Sequence, residues 1–119
     1  MRDHTKLRAF ELADELVVLI YQVTKEFPKE EVYGLTSQMR RAAVSIPSNI
    51  VEGCARDSQP DYLRFLIMAF GSLRELHYQI GLSKHLGFLC NQDSLLIEPK
   101  IVETEKVMNG LIRSLREDG

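Results

Sequence analysis

The chain has 119 residues, 45% of them hydrophobic and 27% charged, with a formal net charge of −2. That is enough apolar material for one core and too little for two, and it excludes wholesale disorder. The slight acidic excess argues against non-specific coating of nucleic acid, and the longest run without Asp, Glu, Lys or Arg, the ten residues Ala42–Val51, falls short of the roughly 20 that a membrane span needs.

Met1-Arg2-Asp3-His4-Thr5 lacks the apolar core of a secretory signal. From about Leu7 to Lys25 the period is helical: Ala9, Leu12, Ala13, Leu16, Leu19, Ile20 and Val23 share a side. Phe10, Val17 and Tyr21 widen that arc to roughly 200°, more than a surface helix of a monomer needs. Phe27-Pro28 stops the helix, because a residue before proline avoids the α region. A second helix is predicted over 35–52, on the line Leu35, Met39, Ala43, Ile46 and Ile50. Pro47 falls inside it and predicts a kink rather than a break, since the line stays in phase through it. Gly53 reads as a left-handed stop.

Ser58-Gln59-Pro60-Asp61 reads as a cap for a third helix over 60–86, with the Ser58 hydroxyl accepting from the amide of residue 61. Its main stripe is Tyr62, Phe65, Leu66, Ala69, Leu73, Leu76 and Ile80. Leu63, Ile67, Met68, Phe70, Tyr78 and Leu82 point elsewhere, so this helix is apolar nearly all round. Three neighbours in a small bundle would not cover it, which implies another subunit. Tyr21, Met68, Phe70 and Tyr78 are the candidate interface residues. The interior Gly71 costs about 1 kcal/mol of helix propensity, and a close neighbouring backbone would explain it. A fourth helix is predicted over 94–116 on Ile101, Thr104, Met108, Leu111 and Leu115, with Pro99 leaving its start open between a bent helix and a separate turn. Cys54 and Cys90 lie at opposite ends of more than twenty helical residues, roughly 30–40 Å apart at 1.5 Å per residue. Two free thiols in a reducing cytoplasm are expected.

The stretch from Phe27-Pro28-Lys29-Glu30-Glu31-Val32-Tyr33-Gly34-Leu35-Thr36 through Met39-Arg40-Arg41-Ala42-Ala43-Val44-Ser45-Ile46-Pro47-Ser48-Asn49-Ile50-Val51-Glu52-Gly53 resembles the four-helix bundle proteins of the 23S ribosomal RNA intervening-sequence type, also labelled S23. Gly71-Ser72-Leu73-Arg74-Glu75-Leu76 and Gly110-Leu111-Ile112-Arg113-Ser114-Leu115 extend the likeness over nearly the whole chain. Ala55, where glycine is common, and Pro99 depart from the pattern. The resemblance implies a single domain over 1–119: an all-α, antiparallel, up-and-down four-helix bundle assembling into a ring, a homopentamer. Some relatives resemble the accessory variability determinant of diversity-generating retroelements, which binds a reverse transcriptase and nucleic acid.

Arg41, Ser45, Ser48 and Glu52, flanked by Gln38 and Asn49, form one polar stripe on the second helix. It reads as a solvated face, as a subunit contact or opening, or as a nucleic-acid contact. Arg40 lies at the edge of the apolar side and needs a partner; Glu75 is the expected one, Glu52 the second choice. Arg41, Arg56, Arg64 and Arg74 are candidate contacts for nucleic acid or a partner, with Arg56 and Arg64 forming a rim that ring symmetry would multiply. A di-iron bundle needs Glu-x-x-His twice, and none occurs; Glu75 and His77, two apart, cannot share a metal. Gly-x-Ser-x-Gly, Walker and Gly-x-Gly-x-x-Gly motifs are also missing from the sequence. The expectation is a non-enzymatic oligomeric scaffold or accessory factor for a protein or structured RNA, without cofactor, metal, membrane or small-molecule substrate. The alternative is a nucleic-acid-binding subunit acting with a reverse transcriptase or on 23S rRNA.

Overall fold

The computed structural model describes residues 2–118. Four helices make up the fold: α1 over Arg8–Thr24, α2 over Leu35–Cys54, α3 over Gln59–His85 and α4 over Asn91–Asp118. One-turn 3-10 helices at His4–Lys6 and Lys29–Glu31 precede α1 and α2. A 28-residue helix is about 42 Å long, which matches the 45 Å long axis of the molecule. No described helix is long and apolar enough to cross a membrane.

Each helix packs on its two neighbours around the bundle, and the backbones of the diagonal pairs stay apart. Contacts fix the directions as antiparallel. Arg8 and Glu15 of α1 reach Glu103 and Lys100 of α4. Met39, Ser45 and Gly53 of α2 face Ser83, Ser72 and Phe65 of α3. Arg74 and Lys84 of α3 reach Glu105 and Glu98 of α4. The core follows the expected stripes on α1 to α3, with Leu12, Leu16, Ile20, Met39, Ile46, Ile50, Leu66, Leu73, Leu76 and Ile80 fully buried. On α4 Ile97, Ile101, Thr104, Met108 and Ile112 are buried, while Leu111 and Leu115 of the expected line are half-buried. The buried Thr24 and Thr104 hydroxyls are satisfied within their own helices, on the Ile20 carbonyl at 2.6 Å and on that of Lys100 at 2.7 Å, the usual solution for Thr inside a helix. The buried Ser94 hydroxyl has no partner among the described residues.

Local chemistry accounts for most helix ends. Ser58 caps α3, accepting from the Asp61 amide at 3.2 Å. Gly34 precedes α2 with no side chain to offer, so the Glu31 carboxylate accepts from the Leu35 amide at 3.1 Å instead. Gly87, the one residue with positive φ (80°) among those described, closes α3, where only glycine is unstrained.

One expectation is corrected. Gly53 is not a stop: α2 runs through it to Cys54, and Ala55 follows at φ −84°, so this turn needs no left-handed residue. Gly53 is small because α3 is close. A Cβ there would sit 2.9 Å from the Phe65 Cβ and 3.3 Å from the Tyr62 carbonyl oxygen. Gly71 is the opposite case, with nothing within 4 Å of where its Cβ would be; no backbone of its own protomer explains it. Both prolines lie inside unbroken helices, so the segment before Pro99 is part of α4 rather than a separate turn.

Candidate functional site

The polar stripe of α2 divides between solvent and the α2–α3 seam. Arg41, Ser48 and Glu52 are exposed. Ser45 turns inward and shares a 2.9 Å hydrogen bond with Ser72, while the Asn49 amide donates to the Ser45 carbonyl at 2.9 Å. Gln38, Arg41, Ser45, Ser72 and Glu75 line a shallow groove beside this contact.

Arg40 does not pair with Glu75 or Glu52. Its Nε donates to Thr24 Oγ1 at 2.9 Å, an Nη donates to the Tyr21 carbonyl at 3.3 Å, and the guanidinium lies 4.6 Å above the Tyr21 ring. The charge leans toward α1 rather than α3, where it satisfies carbonyl and hydroxyl oxygens at the end of that helix. Glu75 instead accepts a long contact from Gln79 at 3.4 Å. In a double-mutant cycle, Arg40→Leu and Glu75→Gln are therefore expected to be additive within about 0.5 kcal/mol. Arg40→Leu and Thr24→Val are expected to couple by about 0.5–1.5 kcal/mol, read by denaturant unfolding.

The turn arginines are already engaged. The Arg56 and Arg64 guanidinium groups both lie over the Phe65 ring, at 4.5 and 4.6 Å, and both reach Asp61, at 3.8 and 2.9 Å. Arg74 pairs with Glu105 at 2.7 Å, and His77 Nδ1 meets the same carboxylate oxygen at 2.8 Å. This Arg–Glu–His cluster ties α3 to α4; the sequence reading missed it because Glu105 lies on a different helix, and no local spacing announces it. Among the described residues, no three His, Cys, Asp or Glu gather closely enough to hold a metal ion.

Of the interface candidates, Met68 and Tyr78 are 45% and 68% exposed, and Tyr21 is exposed with Arg40 over its ring. Phe70 is half-buried and packs against the core. Ile67, not among those candidates, is 42% exposed. It lies eleven residues from Tyr78, about 20° around the helix. Gly71 and Gly81 stand between and beside them, each with open space where a side chain would be. On α4, Leu95 and Leu96 are exposed as well.

Both thiols are free. Cys54 is buried beside Tyr62, and burial pushes the Cys54 thiol up and the Tyr62 hydroxyl up to about 12. The Arg2 amide donates to the Cys54 carbonyl at 3.1 Å, and the Arg2 guanidinium covers the Tyr62 ring at 4.1 Å. Cys90 is exposed. A thiol reagent at neutral pH is expected to modify Cys90 promptly and Cys54 only at the rate at which the fold opens. In Cys90→Ser the fast phase should vanish.

The model of the 23S rRNA-intervening sequence protein family matches residues 5–110. This chain belongs to that family. A crystal structure of a protein with unknown function from the S23 ribosomal protein family of Bacteroides thetaiotaomicron superposes with a TM-score of 0.80. It is 21% identical, and the match covers 87% of this chain and 97% of that one; the likeness shows the family fold. The comparison with curated proteins gives no match. The family expected from Phe27–Gly53 is thus the family shown, and neither match concerns a retroelement determinant.

Proposed function

We propose that this family member is a non-enzymatic, self-assembling scaffold, a ring of identical bundles that presents repeated surfaces to a protein or structured RNA in the cytoplasm. The observation that carries the proposal is the outer stripe of α3. Ile67 and Tyr78, with Met68 beside them, are large apolar side chains turned away from the protomer's core. The two helix-interior glycines on the same face have nothing packed on them. Each glycine costs about 1 kcal/mol of helix propensity, a cost that close approach of a second copy offsets. Five subunits is the number the family resemblance supplies.

A nucleic-acid rim at the α2–α3 turn is the weaker reading, because Asp61 lies against both Arg56 and Arg64 and leaves little net positive charge there. Light scattering on the purified chain tests the proposal. A multimer is expected at micromolar concentration; a monomer that persists on concentrating rejects it.

A further inference from the structure

Where α1 ends, the turn at Lys29–Glu31 crosses over and α2 begins, two adjoining depressions share Val32, Thr36 and Arg40 in their walls. Their volumes are about 410 and 380 Å³, the size range of ligand sites. Four cations line them, Lys25, Lys29, Arg40 and Arg41, and no carboxylate does. Glu26 and Glu30 lie outside the lining, and the Glu31 carboxylate is spent on the Leu35 amide. Among the described residues, none of the four cations makes an ion pair, in contrast to Arg8, Arg56, Arg64, Arg74, Lys84 and Lys100. In a chain whose net charge is −2, the lining itself therefore presents positive charge to a ligand, with the turn's carboxylates set outside it. Between the cations the wall mixes the apolar Tyr21, Phe27, Pro28, Val32 and Val44 with the hydroxyls of Thr24, Thr36 and Ser37.

We propose that this groove docks an acidic, aliphatic peptide segment of a partner protein. Complementarity of charge selects an anion. The wall selects the kind of anion. Of the two aromatic rings in the lining, Phe27 is buried and Tyr21 carries the Arg40 guanidinium over one face at 4.6 Å. What remains for a ligand is mainly aliphatic, Pro28, Val32 and Val44. Carboxylates spaced by Leu or Val side chains satisfy both features, whereas a base would have to share the Tyr21 ring with Arg40 or leave the groove for Tyr33 at its edge. Thr24 and Tyr21 hold Arg40 in place before any ligand arrives, which lowers the ordering cost of binding. The site stands on the groove alone and does not require the ring.

The test uses the full chain and fluorescence anisotropy at low salt. The probes are a labelled short peptide of alternating Asp/Glu and Leu/Val, its Asn/Gln counterpart, and a single-stranded oligouridylate. The variant Lys25→Glu with Lys29→Glu changes two exposed side chains, and circular dichroism verifies its fold. The acidic peptide is expected to bind, to weaken by about tenfold or more in the variant, and to weaken as salt rises; the neutral peptide should not bind. Absence of acidic-peptide binding, equal binding of both peptides, or binding unchanged in the variant overturns the proposal. So does an oligouridylate that binds more tightly than the peptide, which assigns the groove to nucleic acid. Light scattering on the same samples separates the remaining case: if the double variant changes subunit number, the groove's occupant is a second copy and not a foreign partner.

Discussion

Ile67→Glu combined with Tyr78→Glu is expected to convert the assembled protein into a monomer of 13.6 kDa with its helical content intact. Both side chains point away from the protomer's own core, so the change leaves the bundle's packing alone. In an assembly the same positions are covered. Each substitution there removes apolar burial of about 1.5–3 kcal/mol and places a carboxylate where its desolvation costs several kcal/mol more. Ring symmetry repeats that loss at every contact, so the expected result is complete dissociation at micromolar concentration rather than a graded shift. Light scattering reads the mass and far-ultraviolet circular dichroism reads the fold. Unchanged mass with unchanged dichroism would move the contact away from this face of α3.

Gly53→Val is expected to be the most damaging substitution at a single glycine. The branched side chain must enter a gap that already brings a Cβ within 2.9 Å of Phe65 and 3.3 Å of the Tyr62 carbonyl. Neither of these is the flexible end of a side chain, so α2 and α3 must separate at this contact. Overpacking of this kind costs about 1–3 kcal/mol, and the gain in helix propensity over glycine offsets less than about 1 kcal/mol of it. A fall in Tm of roughly 5–15 °C follows. Gly81→Ala is the matched control. With open space at that position it is expected to leave the isolated bundle as stable as before or more so. Equal effects of the two substitutions would contradict the close approach at Gly53.

The bundle was readable from the chain because burial is periodic. Leu12, Leu16 and Ile20, or Leu66, Leu73 and Ile80, advertise one buried face whatever packs against it. Caps were readable where they are local, as at Ser58 and Asp61. What could not be read was any contact between helices. Arg40 looked in need of a carboxylate, and the nearest in the imagined packing was Glu75. The folded chain offered it the Tyr21 carbonyl and the Thr24 hydroxyl of α1 instead. Gly53 looked like a stop because glycine usually ends helices, but its reason is a neighbour 12 residues away in sequence, Phe65. Arg56 and Arg64 looked free because their partner Asp61 was assigned to capping. The groove around Arg40 has no sequence signature at all: Lys25, Lys29 and Arg41 come from three different elements, and only the fold gathers them.

Sedimentation velocity on the unmodified chain, over a range of concentrations that brackets micromolar, tests whether a second copy covers the apolar face of α3. A single multimeric species of constant size is expected, five times the subunit mass if the family's ring is formed. A species at the subunit mass throughout that range rules the assembly out.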